Sequence, residues 1–280
     1  MKAWLLAARP KTLPAAIVPV WVGCVLAVQE TGEGKPGLAL CTLLAALAIQ
    51  IATNFFNDAI DSEKGADTAA RLGPRRATAS GLFSAAHMRK AALGMLGLAG
   101  LFAIPLCLSR GWPILWIGLP SLYFSYGYTG GPLPLAYRGL GEVFVILFFG
   151  LVAVAGTAFV QCGRWLEEGF FVGAQVGFYS AVLIAINNLR DVREDTASGK
   201  RTLAVRWGLP GARLEIFLLC LFPAVMEWCR EERGPATYVL PLGLWIAFLV
   251  QRTPPSRDYN RFLALAAIQL LVFAILFSSS

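Results

Sequence analysis

Nine apolar runs close to bilayer-spanning length occupy most of this 280-residue chain, and no other feature restricts its fold as much. They cover roughly 12–29, 38–58, 91–108, 112–128, 142–161, 170–189, 212–229, 236–251 and 260–278. About 20 apolar residues cross the hydrocarbon core as a helix, which satisfies its own backbone polar groups. The runs at 112–128 and 236–251 are short and carry prolines, so eight helices with a re-entrant segment is the alternative. Hydrophobic residues make up 57% of the chain and charged ones 15%, against roughly a quarter charged in soluble domains. A large soluble helical core would need polar faces at helical spacing, and most runs have none. The expected fold is an all-α polytopic membrane protein, one domain over residues 1–280, with about nine transmembrane helices.

The 24 Lys and Arg residues set an expected orientation. Nineteen fall before the first run or in the loops after the second, fourth, sixth and eighth, counting Arg213 and Arg261 among the first residues of the runs that follow, and five fall on the other side. By the positive-inside rule the N-terminus faces the cytosol and the C-terminus lies outside. The net charge of +7 is spread over these flanking loops, so it gives no reason to expect nucleic-acid binding. The N-terminus does not read as a cleavable signal, because Arg9, Pro10, Lys11 and Pro14 interrupt it. Six scattered cysteines without C-x-x-C spacing read as buried, inert thiols.

Two polar clusters end apolar runs. Asn54, Asn57, Asp58 and Asp61 fall on one helical stripe, with Asp67 beyond, and Asn187, Asn188, Asp191 and Asp195 fall on another. Like charges at i, i+3 and i+4 repel, so each stripe calls for a positive counterpart. A single Asp at a helix end is most often a cap or a solvated salt bridge, but two stripes on membrane helices suggest paired sites for hard divalent cations. Each stripe is followed by a basic loop. The order helix, acidic stripe, basic loop thus recurs in two halves, about 1–128 and 129–280, which would present both stripes to a shared central cavity.

Mg²⁺ is usually held by one or two carboxylates together with substrate phosphates. A diphosphate could therefore bridge metals on both stripes, while Lys11, Arg71, Arg75, Arg76, Arg138, Lys200 and Arg201 are candidates for its remaining oxygens. A diphosphate whose carbon skeleton lies in lipid has an apolar tail, so an allylic prenyl diphosphate fits. Aromatic rings near the same helix ends could stabilise an allylic cation, with Phe55, Phe56, Tyr123, Tyr126 and Tyr128 as candidates. His87 is the only histidine and reads as a loop residue, so no catalytic base is evident, although a carboxylate could help deprotonate an acceptor hydroxyl.

The pattern Asn57-Asp58-x-x-Asp61 with Asp67, and Asp191-x-x-x-Asp195 in the second half, resembles the UbiA superfamily of intramembrane aromatic prenyltransferases. Longer stretches resemble its 1,4-dihydroxy-2-naphthoate branch in menaquinone synthesis: 9–14 (RPKTLP), 57–67 (NDAIDSEKGAD), 71–74 (RLGP), 128–142 (YTGGPLPLAYRGLGE) and 187–208 (NNLRDVREDTASGKRTLAVRWG). The likeness runs from about 9 to 210, and the segments at 128–142 carry the branch assignment. Ala136 stands where the branch often has Gly.

This resemblance implies helices around a central cavity, two Mg²⁺ ions and a polyprenyl diphosphate donor. It further implies prenyl transfer to 1,4-dihydroxy-2-naphthoate with loss of CO₂ and diphosphate, giving demethylmenaquinone, in the plasma (inner) membrane with the active site facing the cytosol. Asn54, Asp58 and Asp61 would bind one Mg²⁺ and Asp191 and Asp195 the other, with Asp58, Asp61, Asp191 and Asp195 catalytic and Asn57 and Asp67 weaker candidates. Arg138, Asn188 and Tyr126 are expected at the acceptor, and Lys11 shares with Arg138 the candidacy for its carboxylate. Other acceptors (4-hydroxybenzoate, homogentisate), a phytyl donor and Mn²⁺ stay open. From a different class, a secondary transporter would also suit repeats and membrane carboxylates.

Overall fold

A computed structural model describes residues 2–66, 71–74 and 76–280, which include no strand. After a short N-terminal helix α1 (Lys2–Ala8) come α2 (Pro14–Thr31), α3 (Pro36–Glu63), α4 (Ala85–Arg110) and α5 (Trp112–Gly127). One rod follows, made of α6 (Gly141–Val145), a π-helical turn at Ile146–Val152 and α7 (Ala153–Cys162). The chain closes with α8 (Glu167–Arg190), the short α9 (Val192–Ala197), α10 (Leu203–Cys229), α11 (Pro235–Arg252) and α12 (Tyr259–Ser279). Each expected run has its helix among the described residues. Seven are long and apolar enough to cross a membrane, and the exceptions are α5 and α11, the two short proline-bearing runs.

Local chemistry fixes the ends of these rods. Proline occupies the first turn of α2, α3, α5 and α11, where its missing N–H costs no helical bond. Ser84 and Thr202 accept from the third backbone N–H of α4 and α10. At Gly208 (φ 65°, ψ −173°) the chain breaks, so Leu203–Trp207 is a separate turn and the long part of α10 begins close to the expected 212. The sequence pattern shows neither α1 nor α9, because both are single-sided turns too short for periodicity to register.

Small residues bring the rods close. A Cβ on Gly150 would stand 2.4 Å from the Gly173 carbonyl oxygen and 2.6 Å from the Gly177 Cα, so the π-helical turn and α8 touch backbone to backbone. Gly23 of α2 is likewise pressed on Val154 and Thr157 of α7. Such contacts replace the hydrophobic drive that is lost when the surroundings are lipid. The bundle surrounds a cavity of about 650 Å³. Its walls run from Asp61, Tyr128 and Asp191 at one end to Leu106, Ile114 and Val160 at the far ends of their helices.

Candidate functional site

Both acidic stripes sit at helix C-termini, the negative pole of the macrodipole, so carboxylates gathered there are destabilising without cations beside them. Asp58, Asp61, Asp191 and Asp195 are all buried, and all four line the cavity. The second stripe does not lie on one helix, as the spacing had suggested. Asp191 ends α8 with φ −94° and ψ 12°, yet the Asp195 amide donates to the Asp191 carbonyl at 2.9 Å, which keeps both on one side.

Lys200 joins the stripes. Its ammonium is 3.4 Å from Asp61 Oδ2 and 3.6 Å from Asp195 Oδ1. Asp61 also meets Arg76 at 3.6 Å and accepts from the Tyr137 hydroxyl at 2.9 Å. Asp58 accepts from the backbone N–H groups of Ala77 and Thr78 at 3.0 and 3.2 Å, which fixes the turn that carries Arg76. Asp191 meets Arg71 at 3.4 Å and is clasped by Arg190, whose Nε and NH2 donate at 2.6 and 2.7 Å. The NH1 of Arg190 donates to Asn260 Oδ1 at 2.8 Å, and Asn260 Nδ2 donates to the Leu72 carbonyl at 3.2 Å, so the start of α12 locks the first loop against the second stripe.

The asparagines divide their roles. Asn54 donates to the Ala8 carbonyl and the Thr12 hydroxyl, tying the N-terminal segment to α3. Asn57 accepts from the Thr129 hydroxyl, and Asn188 donates to Glu142 Oε1 at 2.6 Å. All three line the cavity, as does the exposed Lys11 at its mouth.

Burial first, then the charges of Asp191 and Asp61, push Asp195 up to about 7 against the opposing pull of Lys200 and Arg71. Glu194 is raised by burial and by Asp191. Lys64, whose ammonium sits 3.8 Å over the Tyr137 ring, is lowered by burial despite Asp61. Burial raises the Tyr128 hydroxyl, and Glu142, Asp61 and Asp195 add to that, so it stays a hydrogen-bond donor.

Several expected site residues lie elsewhere. Arg138 and Arg201 line a separate surface pocket with Tyr137, Leu140 and Arg206. Gly139 (φ 66°) turns the chain tightly against the Arg201 carbonyl; Tyr137 borders the same surface pocket as Arg138, and its hydroxyl reaches Asp61. Tyr126 is 40% exposed and packs on Phe56, because Ser125 and Tyr128, one turn apart, take the cavity side of the helix end. Tyr123 is likewise exposed, and Phe55 and Phe56 belong to an apolar cluster with α4. The rings on the cavity wall are Phe124, Tyr128, Phe144 and Phe148, with Phe144 and Phe148 stacked at 4.5 Å. Asp67 and Arg75 lie outside the described residues.

Sequence reasoning missed Tyr137, Arg190 and Glu142. Tyr137 and Glu142 stand inside the quoted 128–142 segment, and Arg190 sits within the second stripe, so position alone could have drawn attention to them.

Among the described residues no three acidic, Cys or His side chains close on one point as a self-sufficient metal cage. The donors are oxygens on two facing stripes with cations between them. That set suits a hard cation completed by a polyanionic ligand, the coordination Mg²⁺ prefers.

The profile of the UbiA prenyltransferase family matches residues 16–276. A 1,4-dihydroxy-2-naphthoate octaprenyltransferase of Haemophilus influenzae is 32% identical over 99% of this chain and 95% of its own length. The Mycobacterium tuberculosis protein of the same name is 37% identical over 97% of this chain and 94% of its own. Among solved structures, a UbiA homologue from Archaeoglobus fulgidus bound to GPP and Mg²⁺ matches with a TM-score of 0.69 at 15% identity, covering 99% of this chain and 100% of that one. A UbiA homologue from Aeropyrum pernix in its apo form matches with a TM-score of 0.70 at 17% identity, covering 95% of this chain and 98% of that one. Those two likenesses carry the fold.

Proposed function

The chain belongs to the UbiA prenyltransferase family, and from that premise we propose that it transfers a polyprenyl group from an allylic prenyl diphosphate to 1,4-dihydroxy-2-naphthoate. The product is demethylmenaquinone, formed as its quinol with loss of CO₂ and diphosphate. One observation carries this reading: a single apolar cavity brings together two buried carboxylate stripes, with Lys200 between Asp61 and Asp195. A carrier would place its ionisable groups near mid-membrane, whereas these stand at the ends of α3 and α8.

Two Mg²⁺ ions, one held by Asn54, Asp58 and Asp61 and the other by Asp191 and Asp195, would neutralise the charge of the departing diphosphate. Lys200, Arg71 and Arg76 already face the carboxylates and take phosphate oxygens beside them, with Lys11 at the mouth. Asp58, through Ala77 and Thr78, keeps Arg76 in reach. Phe124, Tyr128, Phe144 and Phe148 turn a π-rich wall toward the reacting carbon and favour positive charge there. The apolar remainder of the cavity takes the isoprenoid tail. The surplus of basic residues at this end supports an inner-membrane enzyme with its N-terminus and active site in the cytosol and its C-terminus outside. The recurring stripe-and-loop order supports one domain built from two related halves.

The test is product formation by the purified protein with a polyprenyl diphosphate, dihydroxynaphthoate and Mg²⁺, with and without EDTA. A prenylated, decarboxylated naphthoquinol that disappears with EDTA is the expected result. Product with 4-hydroxybenzoate alone would replace the acceptor and keep the chemistry. No product with any aromatic acceptor would remove the reading.

A further inference from the structure

One cavity carboxylate belongs to neither stripe. Glu142 opens α6, lines the cavity and is 3% exposed. Its Oε1 accepts from Asn188 Nδ2 at 2.6 Å, while Oε2 is buried with no hydrogen-bond partner among the described residues. A buried carboxylate oxygen left unmatched is costly, and one that lines a cavity is open to a ligand that supplies a donor. The neighbouring surfaces define that ligand. The Tyr128 hydroxyl lies against the Cα of Gly141, where an added Cβ would come within 2.9 Å of it. The Tyr128 ring packs at 5.4 Å from Phe144, which stacks on Phe148. A carboxylate oxygen beside a wall of ring faces suits a flat aromatic molecule carrying a hydroxyl.

Resting on the function proposed above, we infer that Glu142 receives the acceptor hydroxyl next to the carbon that is prenylated and takes its proton. The O–H bond breaks and the proton goes to Oε2. The electron pair left on oxygen forms a ring carbonyl, while a ring π pair forms the new C–C bond to the prenyl carbon. The C–O bond to diphosphate breaks, and its pair leaves on the diphosphate. Loss of CO₂ from the resulting β-keto carboxylate leaves an enolate, and Glu142 returns its proton to that oxygen. The cycle ends with the proton count unchanged and the product as a quinol. Asn188, which grips the other carboxylate oxygen, is the positioning residue that aims Oε2 into the cavity.

A carboxylate at a helix N-terminus also interacts favourably with the macrodipole, and a purely structural Glu142 would do only that. Glu142→Gln separates the two roles, since it keeps the volume and an oxygen for Asn188 but accepts no proton. Expected for Glu142→Gln in the purified enzyme with Mg²⁺ is a fall in kcat of about 100-fold or more, within the range of general-base catalysis. Binding of a non-hydrolysable prenyl diphosphate analogue and the unfolding temperature in detergent should match wild type. Its residual rate should climb with pH as the acceptor hydroxyl ionises unaided, and Glu142→Asp should recover part of the rate with the wild-type pH profile. Glu142→Gln within threefold of wild type, or slow with an unchanged pH profile, would overturn the inference. If Glu142→Gln fails to fold, a reduced rate with the wild-type pH profile in Glu142→Asp supports it, and a rate in Glu142→Asp that rises with pH like an uncatalysed acceptor overturns it. Wild-type enzyme that prenylates no aromatic acceptor would instead remove the underlying function.

Discussion

Asp195 is held between two opposing influences: burial and the charges of Asp191 and Asp61 favour its proton, while Lys200 and Arg71 oppose it. With its pKa pushed up to about 7, this carboxyl must lose a proton before it can hold a cation. The apparent Mg²⁺ dissociation constant should therefore be flat above about pH 8 and rise by about tenfold per unit as pH falls well below 7. Calorimetric titration near pH 6 and pH 8 measures this, and equal affinity at both would take Asp195 out of the ligand set. Both stripes were legible because a carboxylate on a membrane helix is expensive and stands out. Arg138 and Tyr126 lie away from the cavity because the local backbone of a tight turn or a helix end decides which side chains face it. Ser125 lines the cavity in place of Tyr126, and the Tyr137 hydroxyl meets Asp61 from the surface pocket that Arg138 shares, and no sequence pattern marks either choice.

Helix packing depends on side chains that are absent. At the π-helical turn the rods meet through Gly150, Gly173 and Gly177, so any side chain there must force them apart. Gly150→Val should cost about 1–3 kcal/mol as an overpacked contact, read as a lower unfolding temperature in detergent. An unchanged transition would mean that the backbone contact is looser than 2.4 Å implies. Rods of this kind were readable from hydropathy to within a few residues, since lipid imposes helix on any long apolar run. The breaks were not. Gly208 and Asp191 interrupt their helices where the chain leaves the membrane, and there loop contacts decide the backbone.

Across the whole molecule, the cavity extends along the bundle, and its depth bears on which donors fit. Gly118 lines it ten residues before Tyr128, about 15 Å along the helix, and a Cβ there meets nothing within 4 Å. Gly118→Phe should fold normally yet lower kcat/KM for an octaprenyl diphosphate well below that for a geranyl diphosphate. A parallel fall for both donors would place the tail elsewhere. Closure of the site is also a whole-molecule property, since Asn260, far along the chain, ties Arg190 of the second stripe to Leu72 of the first loop. The sequence alone determined the helical membrane class, the spans, the two acidic stripes and the chemistry they suggest. Each of these follows from a local rule, because hydrocarbon enforces helix and charge in hydrocarbon demands a reason. Helix packing sets Lys200 between the stripes, closes Arg190 on Asp191, and turns Glu142 to the cavity with an oxygen that is unmatched among the described residues. Those contacts join segments tens to hundreds of residues apart, and their geometry is set by how rods pack, which no single stretch of chain encodes.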